Sequence, residues 1–479
     1  MISSRAPRVI VSLWVCAVLP AAVAFGGQEA DGCPAPYLMN PDVKLVVKTY
    51  ALNPYQPKLD GQWEGSIVAS DGKVYFASST HAHDTAGMFF KYDPAAKQIS
   101  VLSQSMSVTC GENPLTQVPQ GKIHSPVVES NGWLYFATHL ANYWTDATNR
   151  FTGSHALGYN LATGQFRDYG VIRSRFTCYD AVSVDPVRNC MYTFVTPWAS
   201  ADFSQGSHVY RINLTSGAKT DLGAVGTQQN ANFAQFVDKW GNMWFNVNSN
   251  PGTLYVVRGD TGQIQSFANC LPTDLNLHTA TPASNQNGRW FTWGKPTGDG
   301  EHFLFTMNGG GLYEFDAGKM LDNNPSDAFR MVQFIGINSM AKCLGGRDVY
   351  YLQSPNLTWN NAAKASDHHL MGVDIDTGLI TDFGRVVDEL GRTPWRAEGM
   401  SADANGHVYM TGDWRLLKDA NGNLLESGTV RHNDSNPGTY WTADMWRGQF
   451  FAVANVPEPA TCLFLAAGAA MLLRRRQAA

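Results

Sequence analysis

The chain has 479 residues, among them 45 Gly, 14 Trp, 18 Tyr and 24 Phe, and a formal net charge of -5. That length permits a large core, and abundant glycine with aromatics favours many short strands and tight turns. No Lys/Arg cluster stands outside the termini, which excludes the electrostatic footprint of a nucleic-acid binder. Helical periodicity is hard to find in the middle of the chain, so an all-β fold is expected.

At the N-terminus, Arg5 and Arg8 precede an apolar run over 9–24 that ends in Ala22-Val23-Ala24. This is the order of a signal peptide over 1–24, so the protein is expected to be exported. Apart from Cys16 in that segment and Cys462 near the other end, the cysteines are Cys33, Cys110, Cys178, Cys190, Cys270 and Cys343. In an oxidising compartment disulfides are the default, and Cys178 with Cys190, flanking YDAVSVDPVRN, is the best candidate pair.

From residue 60 a cassette recurs: a short strand, a turn rich in Asp, Asn or Gly, an aromatic strand, a variable excursion, a third strand, a T-G-like turn and a fourth strand. The copies include SIVASDGKVYFASS with MFFKYDPAAKQISVL, VVESNGWLYFATH with HALGYNLATGQFRDYG, and VSVDPVRNCMYTFVTPW with HVYRINLTSGAKTDLG. FVDKWGNMWFNVNS with TLYVVRGDTGQIQSF follows, then a degenerate copy around GEHFLFTMN, AKCLGGRDVYYLQS with HLMGVDIDTGLITDFG, and finally MSADANGHVYMTGD. Seven such units predict a seven-bladed β-propeller of four-stranded antiparallel blades over 25–455. Either LVVKTYAL near the start or RGQFFAVANV near the end is available to complete the last blade and close the ring. A pair of β-sandwiches also has short strands but does not repeat a cassette.

The chain ends with Val456-Pro457-Glu458-Pro459, an apolar run over 460–473, and Arg474-Arg475-Arg476. This order resembles the PEP-CTERM sorting signal of exported bacterial proteins over 456–479. The resemblance implies an exosortase as processing partner, a place at the bacterial envelope, surface or matrix, and membrane contact through the terminal segments alone.

In a propeller the ends of the inner hairpins converge at one mouth. The positions expected there are Trp63, Glu64, His81 and His83, then His124, His139 and His155, then Tyr179, Asp180 and Trp198. Asn232, Gln235, Asn246, Asn248, Trp293, Lys295, Asn308, Lys342, Arg396, Glu398, Asp413 and Trp414 follow from the later copies. Five histidines in the first two copies are the chemical signal, because imidazole serves as acid, base or metal ligand near neutral pH. In the hairpin KIHSPVVESNGWLYFATH, His124 enters one strand and His139 leaves the other, so antiparallel pairing puts both at one end.

That hairpin, the later GSH containing His155, and YDAVSVDPVRNCMY resemble the propeller polysaccharide lyases of the ulvan-lyase type. The resemblance implies β-elimination on uronic-acid polysaccharides, with His124, His139 or His155, and Tyr179 as catalytic residues. The partner arginine of such lyases has no match in TFVTPW, so Arg211 or Arg396 would substitute, with Asn232 and Trp198 as further substrate contacts. Two alternatives remain open. One is a metal-dependent lyase with a divalent ion on His81, His83, His124 and His139. The other is a non-catalytic propeller that binds glycans or a protein through residues such as Trp63, Trp133, Trp144, Trp198, Trp293 and Trp414. Asp367-His368-His369 reads as a solvated excursion.

Overall fold

In the computed structural model, which describes residues 43–142, 150–197, 203–226, 234–272, 289–336, 339–353, 368–415, 429–430 and 446–456, turn chemistry cuts the chain into short strands. Asn131 and Gly132 both have positive φ, 50° and 74°. That is what a two-residue primed turn requires, and it places Ser130 opposite Trp133. The recurring T-G turn has an equally local cause: Asn160 Oδ1 accepts from the backbone of Ala162 and Thr163, and Gly164 N donates back to Asn160 O. The expected segments over 1–24 and beyond Val456, together with Cys33, Trp144, Trp198, Asn232 and Asp367, lie outside the described residues. Among the described residues no helix is long and apolar enough to cross a membrane.

After β1 (Lys44–Ala51) come five separate four-stranded antiparallel sheets, each with its strands in chain order. The first is β2 (Ser66–Val68), β3 (Val74–Ser78), β4 (Met88–Asp93) and β5 (Gln98–Ser103). The second is β6 (Val128–Ser130), β7 (Trp133–Ala137), β8 (His155–Asn160) and β9 (Phe166–Val171). The third is β10 (Thr177–Asp185), β11 (Cys190–Thr196), β12 (Ser207–Asn213) and β13 (Lys219–Val225). The fourth is β14 (Gln235–Val237), β15 (Met243–Phe245), β16 (Leu254–Val257) and β17 (Ile264–Phe267). The fifth is β18 (Phe291–Pro296), β19 (His302–Met307), β20 (Gly311–Asp316) and β21 (Phe329–Phe334).

The remaining strands form one nine-stranded sheet. They are β22 (Ser339–Gly345), β23 (Asp348–Gln353), β24 (His369–Asp374), β25 (Ile380–Asp388), β26 (Pro394–Ala402), β27 (His407–Arg415), β28 (Thr429–Val430) and β29 (Trp446–Asn455), together with β1. The architecture is an all-β propeller with four-stranded antiparallel blades. Seven separate blades were expected, whereas five stand as separate sheets. The physical reason is β1: its first half, Lys44 to Val47, pairs in parallel with Arg385 to Asp388, and its second half, Lys48 to Ala51, pairs antiparallel with Val453 to Phe450. One strand thus ties two sets of strands together. Both candidate closing segments are used, side by side.

Apolar side chains pack between neighbouring sheets rather than within them. Tyr75, Phe89, Phe136 and Leu157 join the first sheet to the second, and Tyr135, Cys178, Met191 and Ile212 join the second to the third. Where the last described strand meets the first four-stranded sheet, Phe451 of β29 stacks on Phe76 of β3 with ring centroids 4.5 Å apart and lies 4.8 Å from Tyr92. Phe451 and Phe76 are both fully buried. Each such burial contributes roughly 1.5–3 kcal/mol before cavity effects.

The expected Cys178–Cys190 pair is corrected. Cys178 lies opposite Val195 and Cys190 opposite Asp185, at the two ends of the same hairpin, so strand pairing holds them apart. Cys110, Cys190, Cys270 and Cys343 are free thiols, and the Cys178 sulfur lies 3.3 Å from Thr193 Oγ1.

Phe451→Ala removes the ring that seals the first sheet to the last. It is expected to destabilise the protein by about 3–5 kcal/mol, whereas Leu390→Ala, at a position 62% exposed, should change stability by less than about 0.5 kcal/mol. Urea unfolding midpoints check both, and equal effects would contradict the closure described here.

Candidate functional site

The β6–β7 hairpin does what its sequence suggests at both ends. Past the short ladder the chain bends through Pro126. Ser125 Oγ there accepts from Ala137 N at 3.0 Å, standing in for a ladder bond. Pairing then resumes at a bridge between Lys122 and His139, with bonds of 3.1 and 2.8 Å. His124 and His139 consequently share one end, their ring centroids 4.4 Å apart.

Tyr179 reaches them from the next sheet. A break in the register of β10 between Cys178 and Val182 releases Tyr179 from the ladder, the usual use of a bulge beside a site. Its ring lies 4.8 Å from His124, stacked, and 5.4 Å from His139, edge-on. On the opposite face of His124 the Trp63 indole stacks at 4.4 Å, and His81 meets that indole edge-on at 5.3 Å. Trp63 has room because residue 61 is glycine: a Cβ there would come within 2.5 Å of the indole. His124 is 2% exposed and His139 0%, while Trp63 and Tyr179 are half-buried.

Hydrogen bonds fix the imidazoles. His139 Nδ1 lies 2.7 Å from the Cys178 carbonyl oxygen and 2.7 Å from Thr177 Oγ1. A carbonyl only accepts, so Nδ1 carries the proton and Nε2 keeps a lone pair. Burial, and secondarily the positive charge of Lys122, hold His139 well below the usual imidazole range, so the ring is neutral. Lys122 itself is fully buried and donates to the carbonyls of Leu140 and Ala141 at 3.1 and 2.7 Å. Its ammonium also lies 5.4 Å from the Trp63 ring centroid. His81 is oriented by Asp60, whose Oδ1 accepts from the His81 backbone N at 3.1 Å and from Nδ1 at 2.9 Å.

Sequence reasoning missed Lys122 and Asp60. Lys122 opens the same K-I-H-S run, but its burial depends on where the chain bends, which residue types alone do not reveal.

His155 does not join this group. It begins the third strand of its sheet, where Nδ1 faces both oxygens of Asp168 at 3.0 Å and Nε2 faces Glu112 Oε1 at 3.1 Å. Burial opposes its charge most strongly, but hydrogen bonds to Asp168, Cys110 and Glu112 together outweigh it and push the imidazole up to about 11. The same device recurs. His208 faces Asp221 at 2.9 Å and His369 faces Asp382 at 3.0 Å. In each case a glycine of positive φ, Gly170, Gly223 or Gly384, donates its backbone N to the same carboxylate and bulges the outer strand. These three histidines are cross-strand clasps between third and fourth strands.

Other expectations are redistributed. Arg211 sits on β12, the third strand of its sheet, opposite Tyr192 and Thr220, two strands away from the inner edge. For Arg396 only the backbone on β26 is described. Gln235 and Asn246 serve the scaffold, Gln235 bonding Ser183 and the Tyr192 carbonyl and Asn246 the Thr253 carbonyl. Trp293 and Trp414 are 3% and 2% exposed and belong to the core. His368 and His369 are buried, with His368 Nδ1 donating to the Pro394 carbonyl at 3.0 Å, so this stretch is packed rather than solvated. His81 is committed to Asp60 and His83 is half-buried. Among the described residues the His, Cys and acidic side chains close enough to share an ion are instead Cys110, His155 and Asp168.

No family model and no curated protein matches this sequence. Many solved structures are similar to it, among them the following three. The β-propeller domain of Cps50 (Swd1) from Myceliophteria thermophila has a TM-score of 0.49 at 11% identity, covering 86% of this chain and 99% of that one. A chain of a mitotic checkpoint complex has a TM-score of 0.46 at 7% identity, covering 95% and 100%. An oligogalacturonate lyase from Vibrio parahaemolyticus has a TM-score of 0.45 at 10% identity, covering 87% and 98%.

A pH dependence follows from His139. In the unfolded chain this ring takes up a proton below about 6.5, while the folded protein keeps it neutral, so stability is lost as pH falls below that value. The slope from this residue is at most about 1.4 kcal/mol per pH unit. Unfolding measured between roughly pH 7 and pH 5 should show the difference between the natural protein and His139→Gln shrinking as pH falls. A constant difference would contradict the neutral assignment.

Proposed function

We propose that the protein is an exported propeller lyase that cleaves a uronic-acid polysaccharide by β-elimination at the mouth lined by Trp63, His124, His139 and Tyr179. The observation that carries this reading is the convergence of the three rings His124, His139 and Tyr179 within 4.4–5.4 Å of one another.

Elimination begins by removing the proton beside the uronate carboxylate, which drives negative charge onto that carboxylate. His124, clamped between Trp63 and Tyr179, is the donor that faces this charge without having to reorganise. The neutral His139, its Nδ1–H consumed by the Cys178 carbonyl, presents Nε2 as a hydrogen-bond acceptor that orients the Tyr179 hydroxyl, whose proton passes to solvent before the sugar binds. The resulting phenolate takes the proton from the sugar, and the phenol then protonates the leaving oxygen on the same face. Trp63 offers the sugar an apolar surface, and Lys122 behind it supplies fixed positive charge in place of the unmatched arginine.

Two finer parts of this reading go with it. The nine-stranded sheet counts as two blades sharing β1, making seven in all. In support, Cys343, Leu352 and Leu370 of one half pack against Met400, Val408 and Phe450 of the other, as neighbouring blades do. The ends of the chain act as an export signal and a sorting tail that is read by an exosortase and places the protein at the envelope.

A binding role without chemistry is the second reading, and the near-complete burial of His124 and His139 favours it, because a sugar would then meet only Trp63 and Tyr179. The test is the ultraviolet absorbance of unsaturated uronates released from a panel of uronic-acid polysaccharides. Activity is expected on at least one of them, falling by about 100-fold or more in both His124→Ala and Tyr179→Phe. Binding without any absorbance change would replace the lyase with the binder.

A further inference from the structure

The His155 clasp is distinguished by side chains of the connection between β5 and β6, which close over it. Cys110 directly follows the short helix α1 (Met106–Thr109), and its backbone N donates to the Met106 carbonyl. The Cys110 sulfur, a His155 ring nitrogen and an Asp168 carboxylate oxygen all lie within 4.8 Å of one another. In the third sheet the second nitrogen of His208 meets, among the described residues, the backbone carbonyl of Gln205 at 3.2 Å. A clasp needs no thiol, and the repeat does not account for Cys110 or for Glu112.

We propose that Cys110, His155 and Asp168 form a binding site for a zinc-class divalent cation, with Glu112 fixing the His155 ring from its far side. Thiolate, imidazole and carboxylate are the donor types zinc selects. Tetrahedral bonds of about 2.0–2.3 Å put the nitrogen and oxygen about 3.4 Å apart and the sulfur about 3.6 Å from each. His155 Nδ1 already stands 3.0 Å from both Asp168 oxygens, so small side-chain adjustments admit an ion between them.

The opposite nitrogen is held as metal-binding imidazoles are. Nε2–H donates to Glu112 Oε1, whose other oxygen accepts from Gln120 Nε2 at 3.0 Å, while Thr152 bonds the first. Cys110 and His155 are 7% and 5% exposed, but the Asp168 side chain is 27% exposed and gives the ion a route from solvent and room for a water as fourth donor. Binding displaces the thiol proton of Cys110 and the proton on His155 Nδ1, both passing to solvent. The site is separate from the mouth and does not depend on the lyase reading.

The full-length protein, stripped with a chelator, is titrated with zinc alone and, in parallel, with cobalt. The proposal expects one equivalent of zinc, thiolate-to-cobalt charge-transfer absorption, and loss of both in Cys110→Ser. Glu112→Gln should weaken zinc binding by about 10–100-fold. Because Cys110→Ser could fail to fold, alkylation of the natural protein is mapped by mass spectrometry with and without zinc, and zinc should protect Cys110 selectively. Absent zinc uptake, full uptake by folded Cys110→Ser, or unchanged Cys110 alkylation would each overturn the site and leave a purely structural clasp.

Discussion

The hydrogen bonds that β1 divides between β25 and β29 hold the rest of the molecule in place. A four-stranded sheet has two edges with unpaired backbone groups, and leaving such edges open invites pairing with other chains. Here the segment nearest the start of the described chain spans the two outer strands nearest its end. The sheets are then packed face to face by aromatic seams such as Phe76, Tyr92 and Phe451. Closure thus adds a seam on the free side of the first sheet to those that already join it to the second and the second to the third.

The candidate site relies on that fixity, because it is assembled from three sheets. Trp63 and His81 flank the first, His124 and His139 the second, and Tyr179 the third. Each is positioned by a departure from regular pairing: a glycine under the indole, a proline bend bridged by Ser125, and a bulge in β10. Burial raises the electrostatic consequences. A fully buried ammonium at Lys122 acts on His139 through protein rather than water, where charges interact more strongly.

Much of the fold was legible because the repeat has local causes. The Asn131-Gly132 turn and the Asx turns closed by glycine are written in short motifs, and they set strand lengths wherever they occur. The blade count was less legible. The cassettes predict units but not whether a terminal strand will bond to two of them, and β1 does. For the site, the hairpin placed His124 and His139 correctly, since antiparallel pairing leaves no other choice. His155, expected at the mouth from its cassette position and from the resemblance carried by GSH, stands instead on the third strand of its sheet against Asp168 and Glu112. The corrective signal was present in the copies themselves: HALGYNLATGQFRDYG, HVYRINLTSGAKTDLG and HLMGVDIDTGLITDFG each carry His, then Asp and Gly thirteen and fifteen residues on. A residue repeated at one cassette position serves the cassette. Arg211 and the Cys178–Cys190 pair failed for a register reason, because which strand a residue occupies, and opposite what, is fixed by pairing rather than by closeness in sequence.

Histidine nitrogen–proton NMR of the selectively labelled protein tests the central claim most directly, because it reads tautomer and ligand contact together. The account predicts a neutral His139 with its proton on Nδ1. It also predicts that a uronic-acid oligosaccharide shifts the signals of His124 and His139 while leaving those of the clasps His155, His208 and His369 unchanged. An imidazolium at His139, or an oligosaccharide that moves the clasp histidines and not His124, would contradict it.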